Sequence, residues 1–276
     1  MGLWLQPACA AFGSRLFVAA FWFAANAAAG GVVDGAQFPH CGGQCLDAEA
    51  AMTKNRRGKF LVLEGIDGCG KSTQLRALAA WLPTSGLLPA GASLVTSREP
   101  GGTALGMALR GLLLHPPEGH IPESRAELLL YAADRAQHVQ QCIEPALSAG
   151  NWVLCDRFSG STAAYQGYGR GLDLALIDQL EELATAGLRP DLCIWLELAP
   201  PVAAARRAGE REDRIEAEGL AFLERVHGGF SALSVRPGWQ RVNAIGSEAE
   251  VQERLQSLLR QSFIANGQFL KSQLKP

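Results

Sequence analysis

The sequence predicts a three-layer α/β fold, a five-stranded parallel sheet with helices on both faces. Three observations predict it. Short apolar runs recur along the chain from Lys59, stretches of helical apolar spacing separate them, and the first run ends in a glycine-rich loop that opens a helix. Strands separated by helices join in parallel through crossovers, and the crossover helices cover the sheet. A chain of 276 residues is long enough for one large domain with a substantial core.

Each element follows from a local pattern. "KFLVLE" (59–64) is the first strand, a nearly continuous apolar run of the kind a strand covered on both faces needs. Leu75, Leu78, Ala79 and Leu82 then fall at helical spacing, and Pro83 stops that helix. "ASLVTS" (92–97) is the second strand, and Leu105, Ala108, Leu109 and Leu112 mark another amphipathic helix. Pro122 to about Ser148 suits one long helix, with Pro145 loosening its end. "NWVLCD" (151–156) is the third strand, followed by a helical stripe of Leu176, Ile177, Leu180, Leu183 and Ala184. "DLCIWLEL" (191–198) is the fourth strand, "QRVNAI" (240–245) a weaker fifth, and Glu248 to Phe263 a last helix. Functional groups are expected at the carboxyl ends of these strands.

Residues 1–51 differ from this body and carry four charged side chains, Arg15, Asp34, Asp47 and Glu49. Leu16 to Ala25 is a short apolar run that resembles a secretory signal and is too short to span a bilayer comfortably. "MTKNRRGKF", from Met52, reads like a natural beginning. Residues 1–51 are therefore expected to be a disordered extension or the product of an early start, with the working domain at 52–276. Seven cysteines at irregular spacing argue against a disulfide framework and for a reducing, cytoplasmic setting. His40, Cys41 and Cys45 form the one metal-like cluster, and they lack a fourth zinc ligand. A net charge of −2 gives no general basic field for nucleic acid, and no membrane association is expected.

The chemistry starts at "GIDGCGKST" (65–73). Gly65, Gly70, Lys71 and Ser72 satisfy G-x-x-x-x-G-K-[ST] between a strand and a helix, the context of a P-loop. Glycines let backbone N–H groups turn toward an anion, and the helix beginning near Lys71 adds its positive end. Gly65, Ile66, Asp67, Gly68, Cys69, Gly70, Lys71, Ser72 and Thr73 are the expected ATP-binding stretch. Lys71 would meet the β- and γ-phosphates, and the Ser72 hydroxyl would ligate Mg²⁺. Cys69, between two glycines and next to Lys71 at a helix N-terminus, is expected to be the most reactive thiol of the body. The next strand ends bring Arg98, in "SREPGGT", and Asp156 with Arg157, in "CDRF". Asp156 can hold Mg²⁺ through water or accept from Ser72. Two arginines beside a triphosphate suit a second phosphate, since guanidinium groups bind phosphate oxygens bidentately.

With "EGIDGCGKST", "REPGGT", "ELLLYAADRAQH", "DRFSGSTAAYQGYGR" and "REDRIE" in this order, the chain from about Met52 onward resembles the bacterial thymidylate kinases. The resemblance covers about four fifths of the chain and leaves residues 1–51 without a counterpart. It implies a P-loop NTPase fold with a short lid at about 203–218, and the reaction ATP + dTMP → ADP + dTDP with Mg²⁺, as a step in dTTP biosynthesis. It implies a homodimer joined through helices. Arg98 and Arg157 are assigned to the acceptor phosphate, Tyr131 to stacking on thymine, and Arg135 to the base carbonyl. Thr162 is assigned to the base N3 edge, Tyr165 to crowding the sugar 2′ position, Gln166 to the same pocket, and Asp67 to the acceptor sugar or its water and metal. Phe158 stands where the family often has tyrosine or histidine.

No variable position of the glycine loop (Ile66, Asp67, Gly68, Cys69) is basic. The resemblance then implies a catalytic arginine from the lid, "ARRAGEREDRIEAEG" (205–219), with Arg207 first, Arg211 second and Arg206 third. Arg207 and Arg211 share a face if this stretch is helical. Two other readings stand beside this one. Another P-loop nucleoside or nucleotide kinase would keep the loop and change the acceptor pocket. A slow nucleotide-hydrolysing switch would need no acceptor-phosphate arginines, so Arg98 and Arg157 count against it.

Overall fold

The computed structural model describes residues 57–209 and 213–272. The expectations for residues 1–51, for the His40, Cys41 and Cys45 cluster and for Arg211 lie outside them. Five strands form the sheet: β1 (Phe60–Glu64), β2 (Leu94–Arg98), β3 (Trp152–Asp156), β4 (Leu192–Glu197) and β5 (Trp239–Asn243). They are ordered β2-β3-β1-β4-β5, and every pairing is parallel.

The centre of the sheet is covered on both faces, as its apolar runs require. Leu61 and Leu63 of β1 pack with Leu154 and Ile194 on one side, while Phe60 and Val62 pack with Val153, Val139 and Ile143 on the other. Parallel register also brings the carboxyl ends together. Arg98 pairs with Asp156, and Leu63 pairs with both Asp156 and Ile194.

The helices are α1 (Lys71–Trp81), α2 (Ala104–Leu114), α3 (Ser124–His138), α4 (Glu144–Ser148), α5 (Ser159–Thr162), α6 (Leu174–Thr185), α7 (Pro200–Arg206), α8 (Leu220–Leu233) and α9 (Glu248–Ser272). Among the described residues no helix is long and apolar enough to cross a membrane. The single helix expected from Pro122 to Ser148 is in fact two, joined by a π-helical turn at Val139–Ile143. Pro145 stands in the first turn of α4. It has no N–H to give to the preceding turn, and its ring pushes that carbonyl away, so the ladder widens there.

The leucine stripes lie differently from the simplest expectation. Leu105 and Leu112 of α2 and Leu176 and Leu183 of α6 face outward, and Leu183 is 79% exposed. Gly106, Leu113 and Leu114 bury α2, and Ile177 and Ala184 help bury α6. Both helices are apolar on more than one side, so the periodicity did not say which side meets the sheet.

Candidate active site

The phosphate loop leaves β1 and enters α1 through three glycines with positive φ: Gly65 (141°), Gly68 (83°) and Gly70 (97°). Gly68 also has no room for a side chain, because a Cβ there would lie 2.5 Å from the Ala203 carbonyl oxygen. Lys71 is 5% exposed, and its Nζ donates to the Ile66 carbonyl at 2.9 Å and to Asp67 Oδ1 at 3.4 Å. Thus the ammonium lies over the loop at the N-terminal end of α1, where the helix dipole favours an anion. A hollow of about 650 Å³ opens beside it and includes Lys71, Ser72, Thr73, Arg206 and Arg207.

Ser72 Oγ donates to Asp156 Oδ2 at 3.2 Å, while Asp156 Oδ1 is buried without a partner. A hydroxyl and a spare carboxylate oxygen suit Mg²⁺, which takes one or two protein oxygens and completes its shell with phosphates and water. No group of three or more His, Cys, Asp or Glu side chains that could hold a metal ion is present among the described residues.

Arg157 follows β3 with a φ of 70°, one of two positive values at non-glycine residues among those described. Such a conformation persists only where its surroundings over-determine it. Nη1 donates to the Gly65 carbonyl at 2.8 Å and to Ser161 Oγ at 3.0 Å, and Nη2 donates to Asp67 Oδ1 at 2.6 Å. The guanidinium also lies 5.1 Å from the centre of the Tyr165 ring. Burial alone would raise the Asp67 pKa, but Arg157 and Lys71 beside it hold that carboxyl well below the usual range. The turn that presents Arg157 is anchored by Glu64, at the end of β1. Glu64 Oε1 accepts from the Phe158 and Ser161 amides, and Oε2 accepts from Ser161 Oγ at 2.6 Å.

A second hollow gathers Asp67, Tyr131, Arg135, Arg157, Thr162, Tyr165 and Gln166, seven of the eight residues expected at the acceptor. Arg135 is 2% exposed at its floor. Its Nε donates to Glu99 Oε2 at 2.8 Å, and its Nη1 donates to Thr162 Oγ1 at 2.8 Å and to Glu181 Oε1 at 2.5 Å. Glu99 Oε1 is in turn 2.8 Å from His138 Nδ1. Tyr131 stands one turn before Arg135 on α3, half-buried, and burial pushes its hydroxyl pKa up. Tyr165 and Gln166 sit in a π-helical turn (Ala163–Gly169) that follows α5, a geometry often found at functional sites.

Arg98 is the eighth. It is the exposed last residue of β2 and lines a shallow depression with Ser72 and Asp156. Arg110 joins it. Its Nη1 donates to the Pro100 carbonyl at 2.9 Å, and its pKa is lowered by burial and then by the charges of Arg98 and Arg157. Arg110 and Arg157 line the acceptor hollow, and Arg98 is near enough for its charge to act on Arg110, so the three guanidiniums make this part of the site positive and suited to a phosphate. The sequence reading missed Arg110, although it is the one charged residue of α2, "ALGMALRGLLL". It also missed Asp213 and Ile215, which line the acceptor hollow.

Two expectations are corrected. Cys69 is buried, and burial pushes its thiol pKa up more than the neighbouring Lys71 lowers it, so the loop does not make it a reactive thiolate. The condition that the stretch from Arg207 is helical is not met over the described residues, because α7 ends at Arg206 and Gly209 follows with a φ of 93°. Arg207 nonetheless reaches the loop, its Cδ 3.0 Å from the point that a Gly68 Cβ would occupy.

A family model described as thymidylate kinase matches residues 63–255. The thymidylate kinase of Synechococcus sp. (strain RCC307) is 71% identical over 205 residues, covering 74% of this chain and 97% of that protein. The thymidylate kinase of Prochlorococcus marinus (strain MIT 9303) is 62% identical over 206 residues, covering 75% and 95%. Among solved structures, thymidylate kinase from Ehrlichia chaffeensis matches with a TM-score of 0.60 and 32% identity, over 74% of this chain and 99% of that one.

Proposed function

Because this chain belongs to the thymidylate kinase family, we propose that its two hollows hold the donor and the acceptor of one transfer, ATP + dTMP → ADP + dTDP. The observation that carries the assignment is the group of three arginines at the acceptor hollow, Arg110 and Arg157 in its lining and Arg98 within electrostatic reach of Arg110. Arg157, Arg98 and Arg110 take the acceptor phosphate and turn its oxygen toward the γ-phosphate. Deeper in the second hollow, Tyr131 stacks on thymine while Arg135 and Thr162 bond its edge. Tyr165 closes the sugar side, with Asp67 and Gln166 beside it. The reactants are thus held together before reaction, which removes the entropic cost of their encounter.

The donor is held by residues 65–73, with Lys71 on the β- and γ-phosphates. Ser72 and Asp156 hold Mg²⁺, which when bound neutralises phosphate charge. As the γ-phosphoryl group moves, negative charge spreads over its oxygens, and fixed cations stabilise that charge most. Lys71 and Arg207 are the cations on the donor side, with Arg157 on the acceptor side; Arg211 is the second choice for the lid charge. Two copies of the chain assemble through the exposed leucines of the adjacent helices α2, α3 and α6. The free cysteines and the need for ATP support a cytoplasmic enzyme whose domain spans 52–276, without nucleic-acid or membrane partners.

The test is ADP release with a panel of nucleoside monophosphates. dTMP is expected to be the best acceptor. dUMP, which lacks one methyl, should be weaker by about 1–3 kcal/mol in kcat/KM. If CMP or a purine monophosphate outperforms dTMP, the acceptor is another nucleotide.

A further inference from the structure

Glu127 has no role in the account above, yet it sits at the meeting point of the acceptor hollow's walls. Its side chain is 0% exposed, on α3 one turn before Tyr131 and two before Arg135. Oε1 accepts from Gln166 Nε2 at 2.6 Å and from Arg170 Nε at 2.7 Å, and Oε2 accepts from Arg214 Nη2. Burial would raise its pKa, but the bonds from Arg170, Gln166 and Arg214 outweigh that and hold the carboxyl below its ordinary value.

The donors come from two segments that both reach the acceptor hollow. Gln166 belongs to the π-helical turn that also carries Tyr165, and Arg170 follows that turn. Arg214 lies between Asp213 and Ile215, which line the hollow. Its Nε donates to the Leu113 carbonyl at 3.0 Å, at the end of the helix that carries Arg110. Arg170 extends the tie, since its Nη1 lies 2.8 Å from Glu218 Oε1. Glu127 itself does not line the hollow, so whatever it does for the acceptor passes through these partners.

We propose that Glu127 is a positioning residue for the acceptor. A single buried carboxylate fixes the helix of Tyr131 and Arg135, the turn of Tyr165 and Gln166, and the Asp213–Ile215 segment against one another. This rests on the reading that the second hollow takes dTMP. Replacing the carboxylate with an amide removes the charge that both guanidiniums share and sets an N–H against one of them. The three walls then lose their common register, while the phosphate loop, which Glu127 does not touch, keeps its own.

The experiment is steady-state kinetics of the full chain with Glu127→Gln, Arg214→Met and the double variant, alongside thermal unfolding. The expected result is a fall in kcat/KM for dTMP on the order of 10²-fold, the cost of a reactant misplaced by about 1 Å, with KM for ATP unchanged. The double variant should lose no more than the worse single one, because both remove the same tie. Glu127→Asp, which keeps the charge, should recover part of the loss. A Glu127→Gln enzyme that loses ATP and dTMP parameters alike, or single losses that multiply in the double variant, would overturn the proposal. If Glu127→Gln does not fold, Arg214→Met alone decides, and an unchanged kcat/KM for dTMP there also overturns it. A wild-type enzyme that prefers another monophosphate sinks the dTMP reading instead, and the same cycle then tests Glu127 with that acceptor.

Discussion

The sharpest prediction concerns the charge that meets the transferred phosphoryl group. Lys71 is the one cation that the phosphate loop itself supplies, and its Nζ is 2.9 Å from the Ile66 carbonyl. The side chain of Arg207 runs past Gly68 into the same hollow, with Cδ 3.0 Å from where a Gly68 Cβ would be. Arg206 also borders that hollow, but its Nη2 donates to the Ala244 carbonyl at 3.1 Å and serves the fold there. Arg207→Ala should therefore remove a contact made mainly in the transition state. At the low end for arginine fingers, kcat falls about 10³-fold, which corresponds to about 4 kcal/mol of barrier. KM for dTMP should change little. Arg206→Ala loses one ordinary hydrogen bond, about 0.5–1.5 kcal/mol, mostly as stability. The assay is coupled ADP release at saturating ATP and dTMP for Arg207→Ala, Arg211→Ala and Arg206→Ala. If all three keep kcat within about tenfold of wild type, far short of a finger effect, the charge comes from elsewhere. If Arg206→Ala alone is crippled, the ranking drawn from Gly68 is wrong.

Further predictions concern Glu64, the cysteines and assembly. Burial pushes the Glu64 pKa from 4.5 up to about 7, against the pull of Ser161 and Arg157. A raised pKa in the folded state means that its stabilisation is complete below pH 4.5 and is lost as pH rises through 7. The wild type should accordingly lose about 3 kcal/mol relative to Glu64→Gln across that window, and urea titrations whose pH profiles run parallel would refute this. Among the described cysteines only Cys142 is not buried, so a maleimide should label it before Cys69, Cys155 or Cys193; faster, ATP-sensitive labelling of Cys69 would contradict the burial argument. Leu183→Glu places a charge on the exposed leucine face and should shift a dimer toward monomer in sedimentation velocity; a wild type that sediments as a monomer removes that interface.

The sequence by itself determined the succession of strands and helices, the phosphate loop and the residues at the strand ends. Each of these is written in a local pattern: an apolar run, a helical period, or glycines at fixed spacing before a lysine and a hydroxyl. Seven acceptor residues converge on one hollow because the phosphate loop, α3 and the segment after β3 carry them in short, readable motifs. Tertiary structure alone decided the strand order β2-β3-β1-β4-β5 and hence which strand ends meet. It turned Leu176 and Leu183 outward, buried Cys69, and brought Arg110 beside Arg98 and Arg157. It also closed three donors around Glu127 from residues 39, 43 and 87 positions away. Periodicity tells a helix that it has an apolar side and says nothing of what will cover it. A cation's partners, and a thiol's access to water, are set by segments that meet only when the sheet has assembled and its crossovers have packed.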